Sequence, residues 1–453
     1  MEATPKLATI YWLLTGQSPF SRDDGTTRLG DPWDSQSTEI LNSSTCDQAI
    51  FQSGALIELG PENSENLADF SNLAQLHQPY LSCYSVIIFA TLKMYPDSFE
   101  GFAVTDTNNW STVSKIEFKP KPFGEYDVDI RIHACGICGS DVHTVSGGWG
   151  QPDLPVIAGH EIIGEAVRVG NKVTTVKKGQ RVGVGAQIWS CLKCEVCKAN
   201  LENYCPHMVD TYNSNYPDGS KAWGGYSSHI RAHEYFVFPI PDVLKTEDVA
   251  PMLCAGTTTY SPLVDNGCGP GKKVAVIGIG GLGHFAIMFA TALGAEVCAF
   301  SRSSKKAEDA RKLGASEFVA TGEDSDWPSK HQREFDLIIS SSSSVENFDL
   351  DGYLGCLKVK GKFMFVGIPE DPLEVKLPTL NQSAISLSAT HLGNRQQILS
   401  MLKLAADKGL KAWTECLPIS EENIKHALER THSHDVRFRF VLTDYDKKFG
   451  PQD

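Results

Sequence analysis

The sequence predicts an α/β protein in which a β-rich region is followed by a parallel, doubly wound sheet. Three observations predict it. Between residues 126 and 186, short apolar segments alternate with Gly and Pro punctuation, as in a β-rich domain. From about residue 250, strand-length apolar runs alternate with segments of helical spacing, the pattern of a parallel sheet covered by helices. The turn between the first such run and the first such helix is GIGGLGH at 278–284, a glycine-rich strand-to-helix junction.

Taken in order, residues 1–93 stand apart. They are rich in Ser, Asn, Gln and Asp, and carry four basic against eleven acidic residues, a net charge of −7. They are expected to form an atypical, mostly disordered extension. At Met94 the texture changes. YDVDIRIHAC (126–135), EIIGEAVRVG (161–170) and QRVGVGA (180–186) read as strands of a domain over 94–250. A second domain over 251–391 opens with the buried strand KKVAVIGIG (272–280) and the helix LGHFAIMFATALGA (282–295). It continues with strand EVCAFS (296–301), helix SKKAEDARKLGA (304–315) and strand EFVAT (317–321), then strands FDLIIS (335–340) and GKFMFVGIP (361–369). SSSSS at 340–344 reads as a loop after a strand end. The segment 392–453 holds a helix at NRQQILSMLKLAADKG (394–409) and a strand at DVRFRFVLT (435–443).

Composition excludes several classes. With 453 residues, 41% hydrophobic and 21% charged, the chain reads as an ordinary globular protein of more than one domain. A net charge of −14 argues against nucleic acid or an anionic membrane as the main partner. The longest apolar run, YSVIIFATL at 84–92, falls short of the roughly 20 residues a spanning helix needs. Residues 7–15 make a poor signal core, with only Lys6 ahead of them and Glu2 opposing it. The N-terminal region is too acidic for a mitochondrial presequence. Thirteen cysteines in a chain of this size point to reduced thiols and metal ligands, hence a cytoplasmic protein, rather than to a disulfide framework.

Two groups of residues then carry chemistry. Cys191, Cys194, Cys197 and Cys205 follow C-x2-C-x2-C-x7-C, which suits four thiolates closing a tetrahedron around a structural zinc. A closed site leaves no position for substrate, so it braces a lobe and the chemistry lies elsewhere. Cys138, His160 and Glu161 offer a thiolate, an imidazole and a carboxylate, and Cys254 in PMLCAGTTTY offers a second thiolate. Two thiolates and one imidazole leave a fourth position open, as a catalytic zinc requires. Spacing alone does not decide this, because the ligands span more than a hundred residues. Cys135 lacks the surroundings of a redox C-x-x-C with Cys138. Cys268, Cys298, Cys356 and Cys416 read as inert.

The glycines of GIGGLGH, Gly278, Gly280, Gly281 and Gly283, let backbone N–H groups approach a pyrophosphate at a helix N-terminus, with Leu282 between them. The stretch SRSSKK at 301–306 ends the second strand of that unit. An NAD site usually offers Asp or Glu there for the ribose 2′-OH. Here the offer is Ser301, Arg302, Ser303, Lys305 and Lys306, with no acid before Glu308. Such a cluster opposes a helix macrodipole unless an anion joins it, and predicts NADP(H).

GICGSD, GHE, the four-cysteine loop, CAGTTTYSPL and GIGGLGH occur in the order found in zinc-dependent medium-chain alcohol dehydrogenases. Residues 94–453 resemble that family, in its NADP-dependent cinnamyl alcohol dehydrogenase branch, and residues 1–93 have no counterpart. The resemblance implies a GroES-like catalytic domain with a structural zinc lobe, a Rossmann NADP-binding domain, and a C-terminal segment returning to the catalytic domain. It implies Cys138, His160 and Cys254 as ligands of a catalytic zinc with Glu161 beside it, hence two zincs per chain. It implies Ser140 bonded to the reacting oxygen, a proton path through the nicotinamide ribose to His143, and Ser301, Arg302 and Lys306 as 2′-phosphate contacts. Asp141 is expected to orient His160, and Trp149 either lines the substrate pocket or simply packs. The function implied is hydride transfer between NADP(H) and an aldehyde/primary alcohol pair, cinnamyl-type or medium-chain aliphatic, by a cytoplasmic homodimer whose partner is that small molecule. A polyol dehydrogenase and a catalytically silent nucleotide-binding regulator are the alternatives.

Overall fold

The structure, a computed structural model, describes residues 20–23, 26–29, 96 and 98–450. Contacts divide the chain into two units, Met1–Met94 and Tyr95–Asp453. The described part of the first is an antiparallel hairpin, Phe20–Asp23 against Thr26–Leu29. The remainder of the extension expected to be irregular lies outside the described residues.

In the second unit the central strand of the β-rich part is Asp127–Ile137, buried along nearly its whole length. It lies inside a seven-stranded sheet. On one side Glu161–Val169 pairs with it, followed by Arg181–Val184 and Phe238–Pro239. The other side is shared. His229–His233 takes the first half, and Arg439–Thr443 takes the second, with Phe440 opposite Ile137 and Leu442 opposite Cys135. Thr414–Pro418 adds in parallel beyond it. The chain's last strands thus complete a sheet begun near residue 127. The strand expected over 435–443 begins only at Arg439, whose N–H donates to Trp413 O at the foot of Thr414–Pro418.

The second sheet has six strands, all parallel, in the order Glu317–Ala320, Glu296–Ser301, Lys273–Ile277, Phe335–Ser340, Leu357–Phe365, Ser386–Ala389. The winding reverses between Lys273–Ile277 and Phe335–Ser340, which puts a ligand crevice at their carboxyl ends. This is the doubly wound sheet the alternation predicts. The first strand stops at Ile277, not at 280, because Gly278 turns the chain at φ +85°. The helix that follows is Gly283–Ala292. The fifth strand starts four residues earlier than its apolar pattern, at Leu357, because alternating lysines mask it. One face of this sheet buries Phe300, Trp327, Phe335 and Tyr353. Phe300 meets the other three edge-on at 5.5–5.7 Å, contacts worth about 0.5–1.5 kcal/mol each beyond the area they bury. Among the described residues no helix is long and apolar enough to cross a membrane.

Candidate active site and metal centres

Cys191, Cys194, Cys197 and Cys205 sit around the short helix Glu195–Lys198 and the turn Glu202–Tyr204. Their sulfurs all lie within 4.8 Å of one another. Cys191 and Cys197 are 3.9 Å apart, Cys194 and Cys205 3.9 Å, and Cys191 and Cys205 3.5 Å. A tetrahedron with Zn–S of about 2.3 Å spaces its sulfurs about 3.8 Å apart, while a disulfide holds them at about 2.05 Å. All four are free thiols, and the spacing fits a closed zinc site. The backbone N–H groups of Lys193 and Cys194 lower the Cys191 thiol to about 6, which favours the thiolate a metal needs.

Cys138, His160, Glu161 and Cys254 converge from distant parts of the chain. Cys138 follows the strand Asp127–Ile137 and caps the helix Gly139–Val145. His160 and Glu161 stand at the start of Glu161–Val169. Cys254 caps the helix Ala255–Asp265. That helix contains Thr257, Thr258, Thr259 and Pro262, poor helix formers, and forms because every residue from Ala255 to Leu263 is buried. All four donors are buried, with ligand atoms within 4.8 Å of one another. Cys138 Sγ lies 3.8 Å from Cys254 Sγ, and His160 Nε2 lies 3.1 Å from Cys254 Sγ. Two thiols, one imidazole and a carboxylate form a donor set that fits zinc. Glu161 Oε2 is buried without a hydrogen-bond partner, a desolvated oxygen that a nearby cation offsets.

The charges within this cluster are coupled. A hydrogen bond from Cys254 pushes the Cys138 thiol well below its ordinary value and raises Cys254 in turn. Burial opposes charge on His160, yet Asp141 and the Cys138 thiolate outweigh it and raise the imidazole to about 9. Burial lifts Glu161 to about 8 against the pull of Arg439. Arg439 is itself buried, bonded to Glu161 and held firmly charged despite burial. A metal competes with protons for these same atoms, so loading the site releases protons.

Asp141 accepts from Cys138 N at 2.8 Å, Gly159 N at 3.1 Å and Tyr226 Oη at 2.9 Å. It lies 3.9 Å from His160 Nδ1, beyond hydrogen-bond length. Its direct work is thus to pin the two backbone segments that carry Cys138 and His160, while its charge acts on the imidazole. Ser140 Oγ lies 3.6 Å from Cys138 Sγ. His143, on the same helix, points to the surface, where it stacks on Trp149 at 4.8 Å. Trp149 is half exposed. Cys135 is fully buried, donates to Gly136 O and belongs to neither cluster.

At the crevice of the parallel sheet, an added Cβ at Gly283 would fall 1.8 Å from Gly278 O, so the turn closes only with glycine there. A Cβ at Gly280 would meet nothing within 4 Å. That open backbone is what a pyrophosphate needs. Burial holds His284 near 3 and therefore neutral, and its Nδ1 donates to Gly280 O at 3.0 Å, stiffening the loop. Gly281 lies beside Arg439, and Leu282 precedes the helix. The backbone of Ser301 and Arg302 is held by Thr321 N and Gly322 N. Lys306 Nζ donates to Ile279 O at 2.7 Å, and burial together with Arg437 and Arg302 lowers its pKa. Burial and the nearby basic groups, Arg302 and Lys306 among them, likewise lower His434. Arg302 and Lys306 together offer positive charge that fits a phosphate. Glu323, beyond any sequence motif, holds Ser304 N at 2.9 Å.

Sequence reasoning missed Arg439, Tyr226 and His434. One signal existed for Arg439. An arginine inside the apolar strand pattern VRFRFVL has to find a buried acid.

Residues 124–242 match the family described as alcohol dehydrogenase GroES-like domain, and residues 281–407 match zinc-binding dehydrogenase. The NADP-dependent alcohol dehydrogenase 6 of Saccharomyces cerevisiae is 45% identical over 357 residues, covering 79% of this chain and 99% of that protein. A cinnamyl alcohol dehydrogenase of Sorghum bicolor superposes with a TM-score of 0.72 at 34% identity, covering 76% of this chain and 97% of that one. The CAD of Helicobacter pylori complexed with NADP(H) superposes with a TM-score of 0.70 at 32% identity, covering 76% and 98%.

Proposed function

The chain belongs to the zinc-type medium-chain alcohol dehydrogenases, and from that membership we infer that it transfers a hydride between NADP(H) and an aldehyde/primary alcohol pair. The observation that carries this reading is the buried set Cys138, His160, Cys254 and Glu161, with Ser140 beside it. In this reading Cys138, His160 and Cys254 hold the catalytic zinc with Glu161 next to it, and Cys191, Cys194, Cys197 and Cys205 hold a second, structural one. When bound, zinc supplies Lewis acidity toward the substrate oxygen, and the nicotinamide supplies or takes the hydride.

The chain's own residues do the rest. Ser140 Oγ orients the substrate oxygen by a hydrogen bond. Asp141 keeps the segments carrying Cys138 and His160 in register. His143 exchanges the proton with solvent, a task suited to imidazole. Gly278, Gly280, Gly281, Leu282 and Gly283 bring backbone to the pyrophosphate, while Ser301, Arg302 and Lys306 grip the 2′-phosphate. The substrate is cinnamyl-type or medium-chain aliphatic, with Trp149 at the rim. In this reading the enzyme is a cytoplasmic homodimer; thirteen cysteines in a chain of this size suit a reducing compartment.

An aldehyde panel from short aliphatic to cinnamyl tests it by loss of NADPH absorbance. Turnover is expected to be strongest with aromatic or medium-chain members. Tight NADPH binding with no turnover on any aldehyde would instead mark a silent nucleotide-binding protein.

We assign residues 94–250 and 392–453 to the catalytic domain, residues 251–391 to the NADP-binding domain, and residues 1–93 to an extension that catalysis does not use. The extent of the yeast relative, which aligns over 99% of its own length to 357 residues of this chain, supports this. A chain beginning at Met94 is expected to fold and to keep its kcat/KM. Aggregation or lost activity of that shorter chain would show that the extension packs on the enzyme.

A further inference from the structure

His143 has an acidic partner from across the fold. His143 Nδ1 lies 2.7 Å from Glu370 Oε1. Glu370 belongs to another part of the fold, the loop after the strand Leu357–Phe365 of the parallel sheet, 227 residues along the chain. A carboxylate accepts, so in the neutral ring this contact favours the tautomer with the proton on Nδ1 and leaves Nε2 as the acceptor. Trp149 stacks on the imidazole, its ring 11° from parallel to it. A Cβ at Gly148 would stand 2.4 Å from Glu370 Oε1 and 3.4 Å from His143 Nδ1, so an alanine there would push the carboxylate out of its present contact. The pair is partly exposed, at 27% for His143 and 49% for Glu370, and such a pair adds little to stability. Its consequence lies in the orientation and tautomer of the imidazole.

We propose that Glu370 is the positioning residue of His143, reaching across from the parallel sheet to fix the tautomer that takes up the substrate proton. This rests on His143 being the proton exit. In alcohol oxidation the hydroxyl proton arrives at Nε2 while the hydride leaves for the cofactor. The imidazolium keeps Nδ1–H on Glu370, and the added proton then passes to water. Because Glu370 approaches from the sheet that carries the glycine loop, the relay is complete only when the two parts of the enzyme meet. The other ionisable groups around His143 are Asp141 on its own helix and His434, which follows the helix Glu421–His432 packed against it and lies within reach of His432, Arg302 and Lys306.

The test measures kcat and KM for NADP⁺-dependent oxidation of cinnamyl alcohol across pH, in the full chain and in Glu370→Gln, Gly148→Ala, His143→Gln and the Glu370→Gln/His143→Gln double variant. General acid–base groups contribute roughly 10²–10⁴-fold, and loss of a group that only positions one should cost about tenfold of kcat. Glu370→Gln is expected to lower kcat by that factor with little change in KM. Removing a carboxylate destabilises the protonated imidazole, so the acid limb of the profile should move to lower pH. Gly148→Ala, which leaves the carboxylate in the chain but displaces it, should do the same. The double variant should lose no more than His143→Gln, because the two residues act as one unit. If His143→Gln leaves kcat and the limb unchanged, His143 is not the proton exit and that reading falls. If His143→Gln is impaired while Glu370→Gln and Gly148→Ala keep the wild-type kcat and limb, the role of Glu370 alone is overturned. A change in KM with kcat and the limb unmoved would also overturn it, leaving a merely structural clasp.

Discussion

Cys138→Ser is expected to cut turnover by about 10³-fold or more while the protein stays folded. Lewis-acid stabilisation supplies several kcal/mol of the barrier, and about 1.4 kcal/mol is tenfold in rate. A serine hydroxyl is a poor replacement for a thiolate ligand of zinc. The local fold is held by more than the sulfur, and a serine can still cap the helix Gly139–Val145. Cys138 N still donates to Asp141, which is also held by Gly159 N and Tyr226. Cys197→Ser should do the opposite. Its lobe has only a four-residue helix and a three-residue turn, with Leu192 and Asn200 at positive φ. Metal binding there is folding free energy. A loss of several kcal/mol corresponds to a fall of about 10 °C in Tm, with turnover per folded molecule retained. Thermal melts and initial rates on the two variants check both halves. An active Cys138→Ser, or a Cys197→Ser that melts like the parent, would contradict them.

Arg302→Asp is expected to weaken NADPH binding by about 10²-fold, the loss of one charge-assisted contact, and to leave NADH nearly unchanged. Arg302 is exposed on a backbone that Thr321 N and Gly322 N hold in place. Its neighbours Lys306 and Arg437 are cations as well, and of the two Arg437 is paired with Asp309. An aspartate at 302 would repel the 2′-phosphate and offer a ribose hydroxyl an acceptor. Coenzyme titrations on parent and variant decide it. Comparable catalytic efficiency with NADH and NADPH in the parent would remove the premise.

The parts legible in the sequence are those whose signal is local. The four cysteines at 191–205 announce themselves by spacing, and GIGGLGH by its position between a strand and a helix. The alternation of strands and helices after residue 250 is likewise a short-range pattern, and the parallel sheet follows it. Cys254 lies 116 residues from Cys138, and its motif, more than any spacing, singled it out. The helix it caps runs against propensity and exists only because it is buried. The partners that tune the site are further still from any local signal. Arg439 reaches Glu161 across 278 residues, Glu370 reaches His143 across 227, and Tyr226 reaches Asp141 across 85. No periodicity marks such pairs, because closure of the sheets alone brings them together.

The most direct measurement is metal content per chain, taken on purified parent protein and on folded Cys138→Ser. Two separable metal centres require two zincs per chain in the parent. They require one in the variant, retained at Cys191, Cys194, Cys197 and Cys205, with native melting and no turnover. A parent that holds a single zinc while fully active, or a one-zinc Cys138→Ser that still reduces aldehydes, would contradict it.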